Sequence, residues 1–484
     1  MAKDKDWTIT INPPGGFAPS WFSNSWTGKG NKDQSSDMTN VDLTDPNVMT
    51  QGPGMTDLTG GTQDGELGSV LITSIAKSAL SDGVTYAAGA NKVFRITNVA
   101  VTNGNFPKTI TAGTANVAES VLIYQGKTFV FWNDTGVDGD IGLLTSDTVW
   151  DDNWGSTVAT GAAQLEDAPH YGIVGGDDIA YVTNGKYIAT INGTTLNTAG
   201  LDFHDDAETS SITWNGNRAI VSVNRPNISG SNFNQSAIYK WNGTSSSWEG
   251  DPIEVNGQIG ALYTKNGTTF VWHKDSTDDG GYWLGRINGS NLEMLKRYKG
   301  SLPNQEQVGE YKGHIQWVSD NKVFMFGAAD TSLGVKLFQY CSGKHATIGA
   351  IASPFGDLLV SSYATTSFSL SKATGYTVSS TWKSIAFDVN GVENKSQIDL
   401  IMVQTEEMST GAKVDFNLVY DKGKTTKALT QIAYASTKPT RHKILNRGPQ
   451  VEDFRIDTSF VNGSATNPVK IRSILIKGHY VTQN

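Results

Sequence analysis

The sequence has almost no cysteine, since Cys341 is the single one in 484 residues. One cysteine excludes an intrachain disulfide, so the fold does not depend on an oxidising compartment. No apolar run approaches the roughly 20 residues that a membrane helix needs, and the start MAKDKDWTITINPPGG lacks the apolar core of a signal peptide. We therefore expect a protein without a membrane partner, made in the cytoplasm.

Positive charge is also scarce. The chain has 38 Lys and Arg against 47 Asp and Glu, a formal net charge of −9. General nucleic-acid binders neutralise phosphates with clustered Lys and Arg, which this chain lacks. An acidic surface is instead suited to letting DNA pass without holding it.

Sequence motifs for catalysis are missing too. The seven histidines form no HExxH pair, and no GxSxG, P-loop or dinucleotide fingerprint follows a strand. We therefore predict that the chain is not an enzyme, that it has no catalytic residues, and that it uses no metal or other cofactor.

What the sequence does have is a repeat of short strands and Gly-centred turns. Seven units begin at Leu71, Glu119, His170, Ser210, Ile259, Val308 and Ala350, at spacings of 48, 51, 40, 49, 49 and 42 residues. A period of roughly 40–50 residues with about four strands is typical of a β-propeller blade, and no stretch shows helical spacing of apolar residues. We predict an all-β fold with about seven blades, six or eight being the alternatives.

The turns support this interpretation. Asn-Gly occurs repeatedly between apolar or β-branched residues, with its asparagine at positions 184, 192, 215, 242, 256, 266 and 288. This dipeptide suits two-residue hairpin loops, because both loop positions of a type I′ turn need positive φ. The local unit is therefore expected to be the β-hairpin.

The first 66 residues differ from the repeats. They are rich in Gly, Pro, Ser and Asn, yet they carry five large aromatic residues, namely Trp7, Phe17, Trp21, Phe22 and Trp26. So many aromatics predict an extended arm that lies on a surface. The arm either wraps its own propeller or binds a neighbouring subunit with these five residues as assembly contacts.

The pattern changes again after the repeats. Longer alternating strands, such as KVDFNLVY from Lys413, are separated by turn residues up to the end of the chain. Such alternation predicts sheets with one face in a core, here a β-sandwich. The predicted domains are an arm over 1–66, a propeller over 67–379 and a β-sandwich over 380–484.

The segment that leads into the first blade carries a family resemblance. Residues 40–55, NVDLTDPNVMTQGPGM, resemble the segment that precedes the propeller in virion proteins of tailed bacteriophages. The resemblance implies a structural subunit of the phage tail, a nozzle or hub around the DNA exit channel, assembled in the host bacterial cytoplasm. It also implies a ring of identical copies, contacts with portal, adaptor or baseplate proteins, and DNA that passes without specific binding.

Two other functions stay open. A receptor-binding or carbohydrate-binding tail protein would gather exposed aromatics at one end of the propeller. The candidates are Trp132, Trp150, Trp154, Trp214, Trp241, Trp248 and Trp272, although a tryptophan beside a strand more often packs in a blade core. A glycosidase is suggested by residues 276–283, STDDGGYW, which resemble the Asp-box turn of sialidase-like propellers. In that family the turn is structural, and a sialidase-like site would also need an arginine cluster and a tyrosine nucleophile.

Overall fold

The protein is all-β in a computed structural model. The structure describes residues 6–12, 35–45, 48–58, 67–98, 100, 105–111, 117–134, 137–154, 165–166, 169–225, 235–276, 280–327, 336–376, 379–389, 395–437, 439–461 and 467–481. Strands dominate these residues, and a 3-10 turn at Gln305–Gln307 is the main helical feature among them. None of the described helical segments is long and apolar enough to cross a membrane.

Seven four-stranded antiparallel sheets form the blades of a propeller, as the repeat predicts. With strands numbered in chain order and given from the axis outward, the blades are Ser74–Ile75, Val84–Gly89, Lys92–Thr97, Lys108–Thr109 (β6–β9); Val117–Tyr124, Lys127–Asp134, Val137–Ser146, Val149–Asp151 (β10–β13); Gly172–Val174, Ala180–Asn184, Tyr187–Asn192, Thr195–Asp202 (β14–β17); Glu208–Asn215, Arg218–Arg225, Gln235–Trp241, Glu249–Asn256 (β18–β21); Gln258–Lys265, Thr268–Lys274, Gly281–Asn288, Asn291–Lys299 (β22–β25); Val308–Tyr311, His314–Ser319, Lys322–Gly327, Lys336–Ser342 (β26–β29); and Thr347–Ala352, Leu359–Ala364, Ser367–Ala373 with Met55–Asp57 (β30–β32 and β5).

The ring closes through a strand from the N-terminal side. Met55–Asp57 pairs with the outer part of β32, where Met55 lies opposite Ala373 and Asp57 opposite Ser371. Blade 7 therefore combines strands that are about 300 residues apart in the chain. Such pairing covers the outer edge of β32 and ties the segment that precedes blade 1 to blade 7. Met55–Asp57 lies outside the limits of 67–379 that the sequence predicts for the propeller.

Hairpin turns join the strands within each blade, with one difference from the prediction. Asn266 and Gly267 occupy both loop positions between β22 and β23, with φ of 49° and 74°. At other Asn-Gly pairs the asparagine is the last paired residue and only the glycine enters the loop with positive φ, namely Gly185, Gly193, Gly216 and Gly289. At these sites glycine supplies the positive φ that other residues adopt at a cost.

Large aromatic side chains fill the spaces between neighbouring blades. Trp272 of blade 5 and Trp317 of blade 6 are fully buried with ring centroids 5.8 Å apart. The Trp317 indole Nε1 donates to Tyr282 Oη at 2.8 Å, so its polar atom is satisfied in the core. Blade-to-blade packing of this kind stabilises the ring, because a single blade cannot bury both faces.

Two further sheets of seven strands each combine residues from both ends of the chain. The first has the order Val41–Asp42 (β3), Met49–Gln51 (β4), Lys470–Tyr480 (β42), Ser396–Thr405 (β35), Arg441–Asn446 (β39), with Asp6–Ile11 (β1) on β42 and Gln450–Val451 (β40) on β35. The second has the order Ser35–Thr39 (β2), Ser380–Ser384 (β33), Asp453–Val461 (β41), Lys413–Tyr420 (β36), Thr425–Ala428 (β37), with Phe387–Asp388 (β34) on β41 and Ile432–Ala433 (β38) on β36.

One hydrophobic cluster joins these sheets to the propeller. It contains Trp382 and Ile476 from the sheets and Val323 and Phe338 from blade 6. Lys312 adds an ion pair to the link, with its Nζ 3.2 Å from the carboxylate of Asp42.

Candidate functional site

A short polar turn crosses the axis of the propeller. The 3-10 turn Gln305–Gln307 lies between blades 5 and 6 and begins with Asn304, whose side chain accepts from the backbone N–H of Glu306. The Gln307 side chain accepts in return from the backbone N–H of Asn304, which completes a capping box. The capped turn holds its side chains in fixed directions, and Gln305 and Glu306 are both buried.

The Glu306 carboxylate binds two neighbouring blades. Ser74 Oγ of blade 1 donates to Glu306 Oε2 at 2.9 Å, and Ser120 Oγ of blade 2 donates to Oε1 at 3.1 Å. Lys77 Nζ lies 3.7 Å from Oε2 and donates to the backbone carbonyls of Glu306 at 2.9 Å and Ile351 at 2.7 Å. Burial raises the pKa of Glu306, while Lys77 and the two hydroxyl groups act in the opposite direction.

The glutamines on either side reach two further blades. Gln305 Oε1 accepts from Ser211 Oγ of blade 4, and Gln307 Nε2 donates to the carbonyl of Ile348 in blade 7 at 2.8 Å. Because the turn bonds to inner strands on opposite sides of the ring, it lies across the axis. The propeller therefore has a central plug rather than an open bore.

Inner-strand serines also connect adjacent blades directly. Ser74 Oγ accepts from the backbone N–H of Val121 at 2.9 Å, and Ser211 Oγ accepts from that of Leu262 at 2.8 Å. These serines satisfy strand N–H groups that face the axis, where no neighbouring strand pairs with them.

A cavity of about 330 Å³ lies against one side of the plug. Its wall comes from the inner strands of blades 1 to 6 and from the turn, namely Lys77, Ser78, Val121, Leu122, Ile123, Gly172, Ile173, Val174, Thr213, Trp214, Tyr263, Gln305, Glu306 and Val308. Trp214 and Tyr263 are half-buried, and Trp214 stacks on Tyr181 with ring centroids 5.3 Å apart. The cavity thus combines aromatic and aliphatic walls with a few polar groups, which is the usual character of a small-ligand pocket.

The other side of the plug is acidic. Glu119 and Glu208 precede the residues of their strands that touch the turn, and Tyr171 begins the corresponding segment of blade 3. Burial raises the pKa of Tyr171, and the negative charges of Glu119, Glu306 and Glu208 raise it further. Burial also raises the pKa of Glu119 to about 7, although the backbone N–H of His170 donates to its Oε2 at 2.8 Å and favours the charged form.

Of the five predicted assembly contacts, the structure describes one. Trp7 lies in β1, where its ring stacks on Phe454 of the same chain with centroids 6.0 Å apart. It rests over Gly478, at which a Cβ atom would come within 2.4 Å of the Trp7 ring. The other four predicted contacts, Phe17, Trp21, Phe22 and Trp26, lie outside the described residues.

Tryptophans proposed for ligand binding mostly belong to the blade cores. Trp132, Trp241 and Trp272 are fully buried, and Trp154 is nearly so. Trp214 alone among the seven candidates from the sequence lines the axial cavity within the described residues. The arginines do not converge on it: Arg95 pairs with Asp147, Arg218 with Glu249 and Arg286 with Glu293.

The axial residues were missed by sequence reasoning. The segment 304–307, NQEQ, is a polar run directly before the first strand of a blade, and its Asn and Gln have the spacing of a capping box. That signal predicts the turn, but it does not indicate that the turn bonds to blades 1, 2, 4 and 7. Within the described residues no group of three or more His, Cys, Asp or Glu side chains is arranged to hold a metal ion.

Comparison with known proteins identifies no family for this chain. No protein family and no curated protein matches the sequence. Among solved structures, the chain is similar to the extracellular domains 1–2 of Drosophila Semaphorin 1a, with 10% identity, a TM-score of 0.41 and coverage of 66% of this chain and 88% of that one. It is also similar to a family 43 arabinoxylan arabinofuranohydrolase from Bacillus subtilis, with 12% identity, a TM-score of 0.27 and coverage of 88% of this chain and 99% of that one. A further similar structure is an exo-beta-1,3-galactanase from Phanerochaete chrysosporium, with 10% identity, a TM-score of 0.28 and coverage of 97% of this chain and 100% of that one.

These comparisons correct one prediction. The sequence predicts that the chain is not an enzyme, and this prediction is wrong, because glycoside hydrolases are among the solved structures that it resembles. The prediction rested on missing sequence motifs, whereas a site on a propeller axis is built from single side chains of different blades and leaves no contiguous motif. At these identities and TM-scores, the likeness assigns no reaction to this chain.

Proposed function

We propose that this β-propeller protein is a structural subunit of a tailed-phage virion, a ring-forming component of the tail nozzle or hub. The observation that carries the proposal is the path of the lead-in segment, residues 40–55. It contributes β3 and β4 to one sheet and then enters β5, which closes the propeller. The segment that resembles phage virion proteins is thus the one that ties the parts of this chain together.

The two seven-stranded sheets are proposed to act as a β-sandwich that carries the assembly contacts. Strand β1 pairs with β42 on one side only in the described residues, which leaves its other edge available for a strand of a neighbouring copy. The predicted arm continues from β1, so an arm that reaches the next subunit would start beside that edge. Repetition of such a contact by rotation closes a ring.

Because the axis of the propeller is plugged, the proposed DNA channel cannot lie inside one subunit. Since the turn at Gln305–Gln307 crosses the propeller, a duplex cannot run through a single subunit. In the proposed ring the channel lies between copies, and the net charge of −9 favours a wall that does not retain phosphates.

Four chains test this proposal by native mass spectrometry and electron microscopy: the full chain and truncations that remove residues 1–5, 1–12 or 1–34. The full chain and the first truncation should form rings with an open channel wide enough for duplex DNA. The second also lacks β1, and the third lacks the aromatic arm but keeps β2. We expect the third to be monomeric, with a circular dichroism spectrum that matches that of the second, which also lacks β1.

The comparison of the last two truncations isolates Phe17, Trp21, Phe22 and Trp26, because both lack β1. Rings of the chain without residues 1–34 would contradict the role of the arm. A trimeric spike with the propeller at its tip would overturn the nozzle proposal and favour receptor binding.

A further inference from the structure

The axial cavity has the features of a ligand site, and it does not depend on the virion assignment. It lies where inner strands of six blades converge, so its shape is set by rigid strands rather than by loops. Its volume of about 330 Å³ falls within the range of small-ligand pockets. The plug gives it a fixed floor.

The charged groups in its wall compensate each other. Lys77 Nζ stands 3.7 Å from the Glu306 carboxylate, and 41% of the Lys77 side chain is exposed against 6% for Glu306. A ligand in the cavity therefore faces an ammonium group and a carboxylate whose charges sum to zero, so the ligand itself does not need a charge. Such a pair orients hydroxyl groups, which both donate and accept.

The rest of the wall is apolar or aromatic. Trp214 and Tyr263 come from adjacent blades 4 and 5, and Ile123 and Ile173 from blades 2 and 3. Thr213, beside Trp214, has an Oγ1 that accepts from the backbone N–H of Thr264 at 3.1 Å, and its hydroxyl hydrogen can be donated. Aromatic and aliphatic surface favours the C–H face of an amphipathic ring, while the charged pair favours its hydroxyl rim.

We propose that the axial cavity binds one neutral pyranose ring, with Trp214 and Tyr263 as apolar walls and Lys77 and Glu306 as hydrogen-bonding groups. The ring is the terminal residue of a glycan or a free monosaccharide. A purely apolar ligand would remove solvent from the exposed part of Lys77 without a polar replacement, and a charged ligand would disturb the pairing of Lys77 with Glu306.

The test measures binding of glucose, galactose and N-acetylglucosamine to the full chain by saturation-transfer NMR and calorimetry. Two substitutions block the cavity from different blades: Val174→Arg, at a position 38% exposed, and Ser78→Arg, at an exposed position. Val149→Arg and Ser81→Arg are matched controls at exposed positions that do not line the cavity.

At least one sugar should bind the wild type and both controls equally, with at least a tenfold loss in each blocked variant. Two blocking positions keep the test decisive if one variant fails to fold, which thermal unfolding will show. Absence of binding to all three sugars, or binding that both blocked variants retain, would overturn the proposal. Neither result bears on ring formation, which the truncations test separately.

Discussion

Ser74 and Glu306 lie 232 positions apart in the chain, and the Ser74 hydroxyl donates to Glu306 Oε2 at 2.9 Å inside the propeller. Both side chains are buried, so this hydrogen bond ties blade 1 to the plug between two groups that are largely removed from solvent. Loss of one partner leaves a buried polar group unpaired, which costs more than the bond itself contributes.

Glu306→Gln should therefore lower the free energy of unfolding by about 1–3 kcal/mol. The amide keeps one acceptor oxygen, but its NH2 group cannot accept from the second serine hydroxyl, and the neutral side chain no longer balances Lys77. Glu310→Gln is the matched control, because Glu310 lies in β26 directly after the turn and its exposed carboxylate pairs with Lys265. The control should change stability by less than about 0.5 kcal/mol. Equal midpoints of the two variants in urea unfolding would show that the Glu306 carboxylate does not stabilise the propeller.

The propeller could be predicted from the sequence because its repeat is local. Each unit starts within a few residues of an inner strand, as at Glu119 in β10 and Val308 in β26. The closing strand at Met55–Asp57 could not be predicted, since three residues without a repeat pattern carry no signal of a partner about 300 positions away. The plug could not be predicted from the sequence for a similar reason. Its contacts with Ser74 and Ser120 exist only after all blades are in place.

The ring closure gives a second prediction. A chain that begins at residue 59 lacks β5, whereas one that begins at residue 53 keeps it, and both lack β1 to β4. The shorter chain should unfold at a lower temperature and lose protection from hydrogen exchange in Ser367–Ala373, because this strand becomes an open edge. The longer chain is the control for loss of the other N-terminal strands. Equal protection of that strand in both chains would contradict a role of β5 in closure.

Tyr282 and Trp317 allow a test of blade-to-blade packing. Tyr282→Phe removes the acceptor of the Trp317 indole N–H, which donates at 2.8 Å between two fully buried rings. We expect a loss of about 1–3 kcal/mol in the free energy of unfolding. Tyr298→Phe is the matched control, because Tyr298 is buried nearby and its hydroxyl makes no hydrogen bond within the described residues. If both variants lose the same stability, the indole hydrogen bond contributes nothing.

The last prediction concerns pH and the acidic side of the plug. The pKa of Glu119 rises from 4.5 to about 7 in the folded protein, chiefly because burial disfavours its charged form. Between these values the folded state holds a proton that the unfolded state has released, so the contribution of Glu119 to stability is present at low pH and lost as pH rises toward 7.

Glu119→Gln cannot lose this proton, and its amide oxygen still accepts from the N–H of His170. The variant should gain about 1–3 kcal/mol relative to wild type between pH 4 and pH 8. Unfolding in urea across this range measures the difference, with the exposed carboxylate Glu254 changed to Gln as the matched control. Because His314 and His442 have lowered pKa values and destabilise the fold on acidification, only the difference between variant and wild type isolates Glu119. A difference that stays constant with pH would mean that folding does not shift the pKa of Glu119.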